Sequence, residues 1–213
     1  CSMTTAAWAF LVVFVIAAGA NWWSRWTDDR RTELWSKPLA LIALIGVAAT
    51  LDPVDPAVRV WFVAALVCSL AGDVFLLDGD RRFIPGLVAF LLAHVAYTVG
   101  LIVAPDWSWI GFGVGVVLTA ALVSTVGRRI VGAARRSEPV LGWAVSAYLV
   151  AISLMFCAAV ATGNWWAIVG AGLFVASDSV LGWRQFVGSA RWMPVTVMVT
   201  YHLGQAGLVA SLL

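Results

Sequence analysis

Residues 83–103 read FIPGLVAFLLAHVAYTVGLIV. His94 is the one side chain in this run able to carry a charge near neutral pH, and at 1.5 Å per residue a helix of that length spans the roughly 30 Å hydrocarbon layer of a bilayer. A membrane β-strand would alternate apolar and polar residues over about ten positions, and no such alternation is present. Working outward, comparable runs fall near 6–21, 35–51, 57–77, 107–126, 139–161, 164–182 and 192–213. Composition agrees, because 62% hydrophobic and 11% charged residues are too apolar for a domain that must cover its core with polar side chains. The expected fold class is therefore all-α, a polytopic transmembrane bundle of eight helices forming a single domain over residues 1–213.

The breaks between runs are chemically consistent. Pro38 and Pro139 are expected at helix starts, where a missing N–H loses nothing, and Pro85 and Pro194 in opening turns. No stretch joins a basic leader, a short apolar core and a cleavage site, so the first run reads as a retained span. Cys1-Ser2 ahead of Met3 reads as an expression remnant. Cys68 and Cys157 lie in apolar runs without CxxC or Cys/His spacing and read as small core residues. A net charge of +2 offers no surface for nucleic acid, so none is expected as a partner.

Numbering the loops alternately puts twelve of thirteen basic residues on one side, from Arg25 to Arg191, and leaves Arg59 alone on the other. The positive-inside rule then predicts cytoplasmic basic loops and both termini outside, in what reads as a bacterial plasma membrane. The thirteen tryptophans divide likewise into two interfacial belts, Trp22, Trp23, Trp26, Trp35, Trp143, Trp183 and Trp192 lying toward the basic loops. Polar residues also recur in order. Gly72-Asp73, Arg81-Arg82, His94 and Tyr97 in the first half answer to Ser177-Asp178, Arg184, Tyr201, His202 and Gln205 in the second. A parallel duplication of four plus four helices, residues 1–103 and 104–213, is expected, with both aspartates facing one cavity.

A carboxylate inside a span costs roughly 2.5 to 3.5 kcal/mol at the helix centre, so Asp73 and Asp178 need a reason. Each is expected four or five residues inside its basic-loop helix end, roughly 6 to 8 Å deep, below His94 and His202 near the midplane. Together they would line a funnel open to the cytoplasm. The bland reading is that the aspartates bind Lys37, Arg184 or a helix hydroxyl and only lock the bundle. His94 reads equally as an interhelical hydrogen-bonding group and as a participant. His202 lies off the face shared by Tyr201 and Gln205, while Tyr97 and Tyr148 read as packing aromatics. Lys37 stands where a point charge would meet phosphate, although a snorkelling lysine is the commoner arrangement. Asp78 and Asp80 belong to a solvated loop. Gly111 and Gly115 have the four-residue spacing of closely packed helices. The motifs of serine hydrolases, zinc proteases and phosphate-binding loops are absent. A metal bound by Asp73, Asp178, His94 and His202 has suitable ligand types, but an expected depth difference of about 9 Å keeps one ion from touching all four.

At these residues the chain resembles the YhhN-like lysoplasmalogenase family. The resemblance rests on Lys37-Pro38, Ala71-Gly72-Asp73-Val74-Phe75-Leu76-Leu77, Phe90-Leu91-Leu92-Ala93-His94-Val95-Ala96-Tyr97, Ser177-Asp178, and Tyr201 with Gln205. His202 departs from it, standing where an aromatic residue, commonly tyrosine, is expected. The resemblance implies hydrolysis of the vinyl ether of lysoplasmalogen to a fatty aldehyde and glycerophosphoethanolamine or glycerophosphocholine, without a cofactor. A vinyl ether is cleaved by protonation at carbon, and water then captures the oxocarbenium ion. Two aspartates in one apolar cavity suit this, because desolvation and mutual repulsion disfavour two charges and leave one acid beside one carboxylate. Asp73 and Asp178 are thus the expected catalytic pair, supported by Lys37, His94, Tyr97, Tyr201, Gln205 and Arg184. Two alternatives stay open: a metal-assisted hydrolase of another lysolipid bond, and a proton-coupled carrier of lipid or small solutes.

Overall fold

The computed structural model describes residues 2–213, apart from the side chains of residues 79 and 80. The expectations placed on Cys1 and on the Asp80 side chain lie outside the described residues. Among the described residues eight long helices form, with a short 3-10 turn at Gly79–Arg82: α1 (Thr5–Thr27), α2 (Arg30–Thr50), α3 (Pro56–Leu76), α4 (Phe83–Val103), α5 (Trp109–Ser137), α6 (Pro139–Thr162), α7 (Trp165–Phe186) and α8 (Met193–Ala210). The first seven are long and apolar enough to cross a membrane, which makes this an integral membrane protein. Helix α8 is less apolar because it carries Tyr201, His202 and Gln205. All three are buried, since α8 packs against α1, α2, α3 and α7.

Two boundaries differ from the sequence reading, each for a local reason. Helix α2 starts at Arg30, ahead of the expected 35, because Asp29 caps it. One Asp29 carboxylate oxygen accepts the backbone N–H of Arg31 at 3.0 Å and the other accepts the Thr32 hydroxyl at 2.7 Å. That hydroxyl bond is the main cause holding the Asp29 carboxyl below the usual carboxylate range. Pro38 consequently lies inside α2 and does not open it. Membrane helices tolerate such a proline because neighbouring groups satisfy the freed carbonyl. Helix α5 continues past the expected 126 through a wide π-type turn, Val123–Gly127, to Ser137. Its last turns are amphipathic: Ile130, Ala133 and Ala134 are buried while Arg128, Arg129, Arg135 and Arg136 face outward.

Chain neighbours pack in pairs, α1 with α2, α3 with α4, α5 with α6 and α7 with α8, while α4 also packs on α6. Small residues set the closest approaches. A Cβ on Gly111 would stand 2.8 Å from the Val160 carbonyl oxygen, and one on Gly115 2.7 Å from Cys157 Cα. The expected close packing of α5 is therefore made against α6. Between α7 and α8 the backbones touch even more tightly, since a Cβ on Gly170 would meet the Leu208 nitrogen at 2.5 Å. Cys157 is buried as expected, whereas Cys68 is half-buried. Most tryptophans stand exposed, including Trp8, Trp23, Trp109, Trp143 and Trp165. Trp22 departs from the belt by turning its indole into the bundle, toward α8.

Candidate active site

Helices α1, α2, α3, α4, α7 and α8 leave a cavity of about 430 Å³ at the end carrying the basic loops. Asp73 and Asp178 both line it, together with Lys37, Arg184 and Tyr201. Arg25, Arg30 and Glu33 also line it, and Arg25 pairs with Glu33 at 2.6 Å.

The two aspartates are held differently. On α3, Gly72 packs under Phe90, whose ring would lie 2.6 Å from a Cβ there, and the next residue, Asp73, is 1% exposed. Lys37 Nζ approaches one Asp73 oxygen at 3.2 Å, and the Tyr201 hydroxyl donates to the other at 2.9 Å. Lys37 is itself only 6% exposed, so it does not snorkel, because the start of α2 at Arg30 carries it a further turn into the bundle. A buried ion pair of this kind persists where further hydrogen bonds complete its shell, and Tyr201 provides one.

Asp178 has no lysine or arginine ion pair among the described residues. The Tyr148 hydroxyl donates to its Oδ2, and His94 Nε2 lies 3.4 Å from the same oxygen and 2.9 Å from the Tyr148 hydroxyl. His94 is fully buried. The expected depth gap between aspartates and imidazoles is corrected for this pair. Helix α7 runs on to Phe186, which sets Asp178 deeper than Asp73, which lies close to the end of α3. An aromatic cluster lies between His94 and Tyr201. Phe174 packs edge-on against His94 at 4.8 Å and against Tyr201 at 5.4 Å, and Phe90 against Tyr201 at 5.8 Å.

The remaining expected residues lie behind the cavity. Tyr97 donates to Gln205 Oε1, joining α4 to α8, and neither residue lines the cavity. His202 faces α1, where its Nδ1 accepts the Trp22 indole N–H at 3.0 Å. It thus leaves the Tyr201 face, as its position in the sequence predicts. Among the described residues no three carboxylate, imidazole or thiol side chains gather as a metal cluster.

Tyr148 is the residue that sequence reading undervalues. A signal exists in composition: the chain has three tyrosines against ten phenylalanines. A phenol buried among apolar helices must find a partner, and phenylalanine fills space without one. All three tyrosine hydroxyls make side-chain hydrogen bonds, to Gln205, Asp178 and Asp73.

The sequence profile of the YhhN family matches residues 32–212. The chain is 30% identical to a lysoplasmalogenase of Mycobacterium bovis over 176 residues, 81% of this chain and 67% of that one. It is 28% identical to lysoplasmalogenase TMEM86B of Homo sapiens over 181 residues, 83% of this chain and 74% of that one. No solved structure matches.

Proposed function

We propose that this chain, which belongs to the YhhN family, hydrolyses the vinyl ether of a lysoplasmalogen by aspartate acid/base chemistry, releasing a fatty aldehyde and glycerophosphoethanolamine or glycerophosphocholine. The observation that carries the reading is the meeting of Asp73 and Asp178, from α3 and α7, in one cavity. The names of the relatives from Mycobacterium bovis and Homo sapiens support the substrate class.

The surroundings divide the labour. Asp73, paired with Lys37, is assigned as the base. Asp178 is the proton donor, steered by Tyr148 and His94. Its proton goes to the alkenyl carbon remote from oxygen, leaving an oxocarbenium ion. Water adds to the cationic carbon and gives a proton to Asp73, forming a hemiacetal. Collapse returns the hemiacetal hydroxyl proton to Asp178 while Asp73 protonates the departing glycerol oxygen. Both carboxyls end as they began, and the net reaction adds one water. Lys37, Arg25, Arg30 and Arg184 around the cavity supply positive charge for the phosphate of the headgroup.

The orientation belongs to the same reading: α8 is an eighth span, both termini lie outside, and the cavity opens to the cytoplasm. A four-plus-four repeat is supported by the way partners exchange. Asp73 on α3 is met from α2 and α8, and Asp178 on α7 from α6 and α4. Those are the elements that a two-fold relation would interchange.

Mass spectrometry of products from alkenyl, alkyl and acyl lysophospholipids tests the function. Aldehyde release confined to the alkenyl lipid is expected, and it should vanish in Asp73→Asn and in Asp178→Asn while both variants still fold in detergent. Activity retained in both variants would exclude the paired-aspartate mechanism. Transport across liposomes without product would favour a carrier instead.

A further inference from the structure

The polar cavity does not end at Asp178. An apolar cleft continues from it between α4, α5, α6 and α7, walled by Leu87, Leu122, Val126, Ile130, Leu149 and Ile152. Asp178, Phe90, Leu76, Phe83 and Leu181 line both spaces, whereas Asp73, Lys37 and the arginines line only the polar one. The molecule therefore holds a charged chamber and a hydrocarbon slot that share one wall, with a single carboxyl at their joint.

We infer that this cleft is the binding site for the hydrocarbon chain of a single-chain glycerophospholipid, with the π-type turn of α5 as its wall and Gly127 setting the room available. The reaction invoked rests on the hydrolase reading above, but the chain site itself does not. A ligand filling both spaces must carry an anionic, hydrogen-bonding head and one apolar tail, and the bond joining them must pass Asp178. In an alkenyl lysolipid that bond is the vinyl ether. Between Leu122 and Ile130 the α5 wall runs for roughly 12 Å along the helix axis, which gives an apolar face for part of an extended tail.

The turn explains why this wall is available. In Val123–Gly127 the helix widens, and the Ser124 and Thr125 hydroxyls bond back to the Ala121 carbonyl, both at 2.9 Å, which gives that backbone group partners within the turn. The widened turn puts Val126 and Gly127 on the cleft. Gly127 is buried and packs directly on Leu149, whose side chain would lie 2.9 Å from a Cβ at this position. Any larger residue must displace Leu149, which walls the same cleft, and so alter the space the tail occupies.

Photolabelling reads the site without catalysis. An acyl lysophosphatidylethanolamine with a diazirine at mid-chain has no vinyl ether and is not turned over. Irradiated with the protein in nanodiscs, it should label peptides containing Leu122–Ile130 of α5 and Val145–Ile152 of α6, and excess alkenyl lysolipid should suppress that labelling. Labelling confined to outward faces such as Ile110 and Val117, or unmoved by the competitor, overturns the assignment. In kinetics, Gly127→Leu should lower kcat/KM for a long-chain alkenyl lysolipid by about tenfold or more while sparing a short-chain one. Val126→Phe serves the same purpose if the first variant does not fold. Equal losses for both chain lengths in a folded variant refute the role of this wall. Cleft labelling in a protein that leaves the vinyl ether intact would uphold the chain site and remove the hydrolase reading.

Discussion

Asp73 and Asp178 look alike in sequence, each a lone carboxylate in an apolar run, yet their partners differ in kind. Asp73 is held by a lysine and a phenol, Asp178 by a phenol and an imidazole. Removing the lysine leaves a buried carboxylate unpaired, so Lys37→Met should destabilise the protein by about 3–5 kcal/mol. Adding Asp73→Leu should recover much of that loss while leaving the enzyme inactive. Thermal unfolding in detergent measures both, and a Lys37→Met variant as stable as the parent would show that the pair carries no such load. Tyr148→Phe keeps the ring and removes the bond to Asp178. It should lower kcat by about 10- to 100-fold with KM little changed. An unchanged kcat would reduce Tyr148 to a packing residue. At this scale, the cost of burying charge made the aspartates legible from sequence and offered Lys37 as one partner among several, but which aspartate it serves, and the part of Tyr148, were not legible. Lys37 and Tyr148 have more ordinary roles open to them at a membrane interface and in a core, and only the neighbouring helices decide between those roles and these.

At the scale of elements, glycines decide how near the helices come. Gly170 and Gly204 bring α7 and α8 into backbone contact, and a Cβ on Gly204 would lie 2.9 Å from the Gly170 carbonyl oxygen. The same contact sets α8 in register with α7, where the Ser177 hydroxyl donates to the Val197 carbonyl at 2.9 Å. Gly204→Val should cost about 1–3 kcal/mol of stability through overpacking and should also reduce activity, because it moves Tyr201 relative to Asp73. Gly113→Ala is the control, as open space surrounds that position and little change is expected. Equal effects of the two substitutions on melting temperature would contradict this account. Helix existence was readable from apolar runs because each run carries its own transfer free energy. The ends of α2 and α5 were misread for complementary reasons. Proline marked a start that the Asp29 cap had already made, and arginines marked a stop where an amphipathic helix continues.

For the whole molecule, the parity of spans is the sharpest test. If α8 crosses the membrane with α1–α7, reporters fused to the two termini will report the same side, and opposite sides would mean that α8 does not span. Loop charge asymmetry predicts that both lie outside. What the sequence determined by itself is the solvent, the approximate spans and the two carboxylates that needed justification, since these follow from transfer free energies summed over neighbouring residues. The tertiary structure decided that Lys37 is an interior ion-pair partner, that Tyr148 belongs with His94 and Asp178, and that a polar chamber and an apolar cleft meet at one of the two aspartates. Hydropathy along the chain cannot encode these outcomes. Each contact joins side chains from different helices far apart in sequence, and it forms only where close packing brings those faces together.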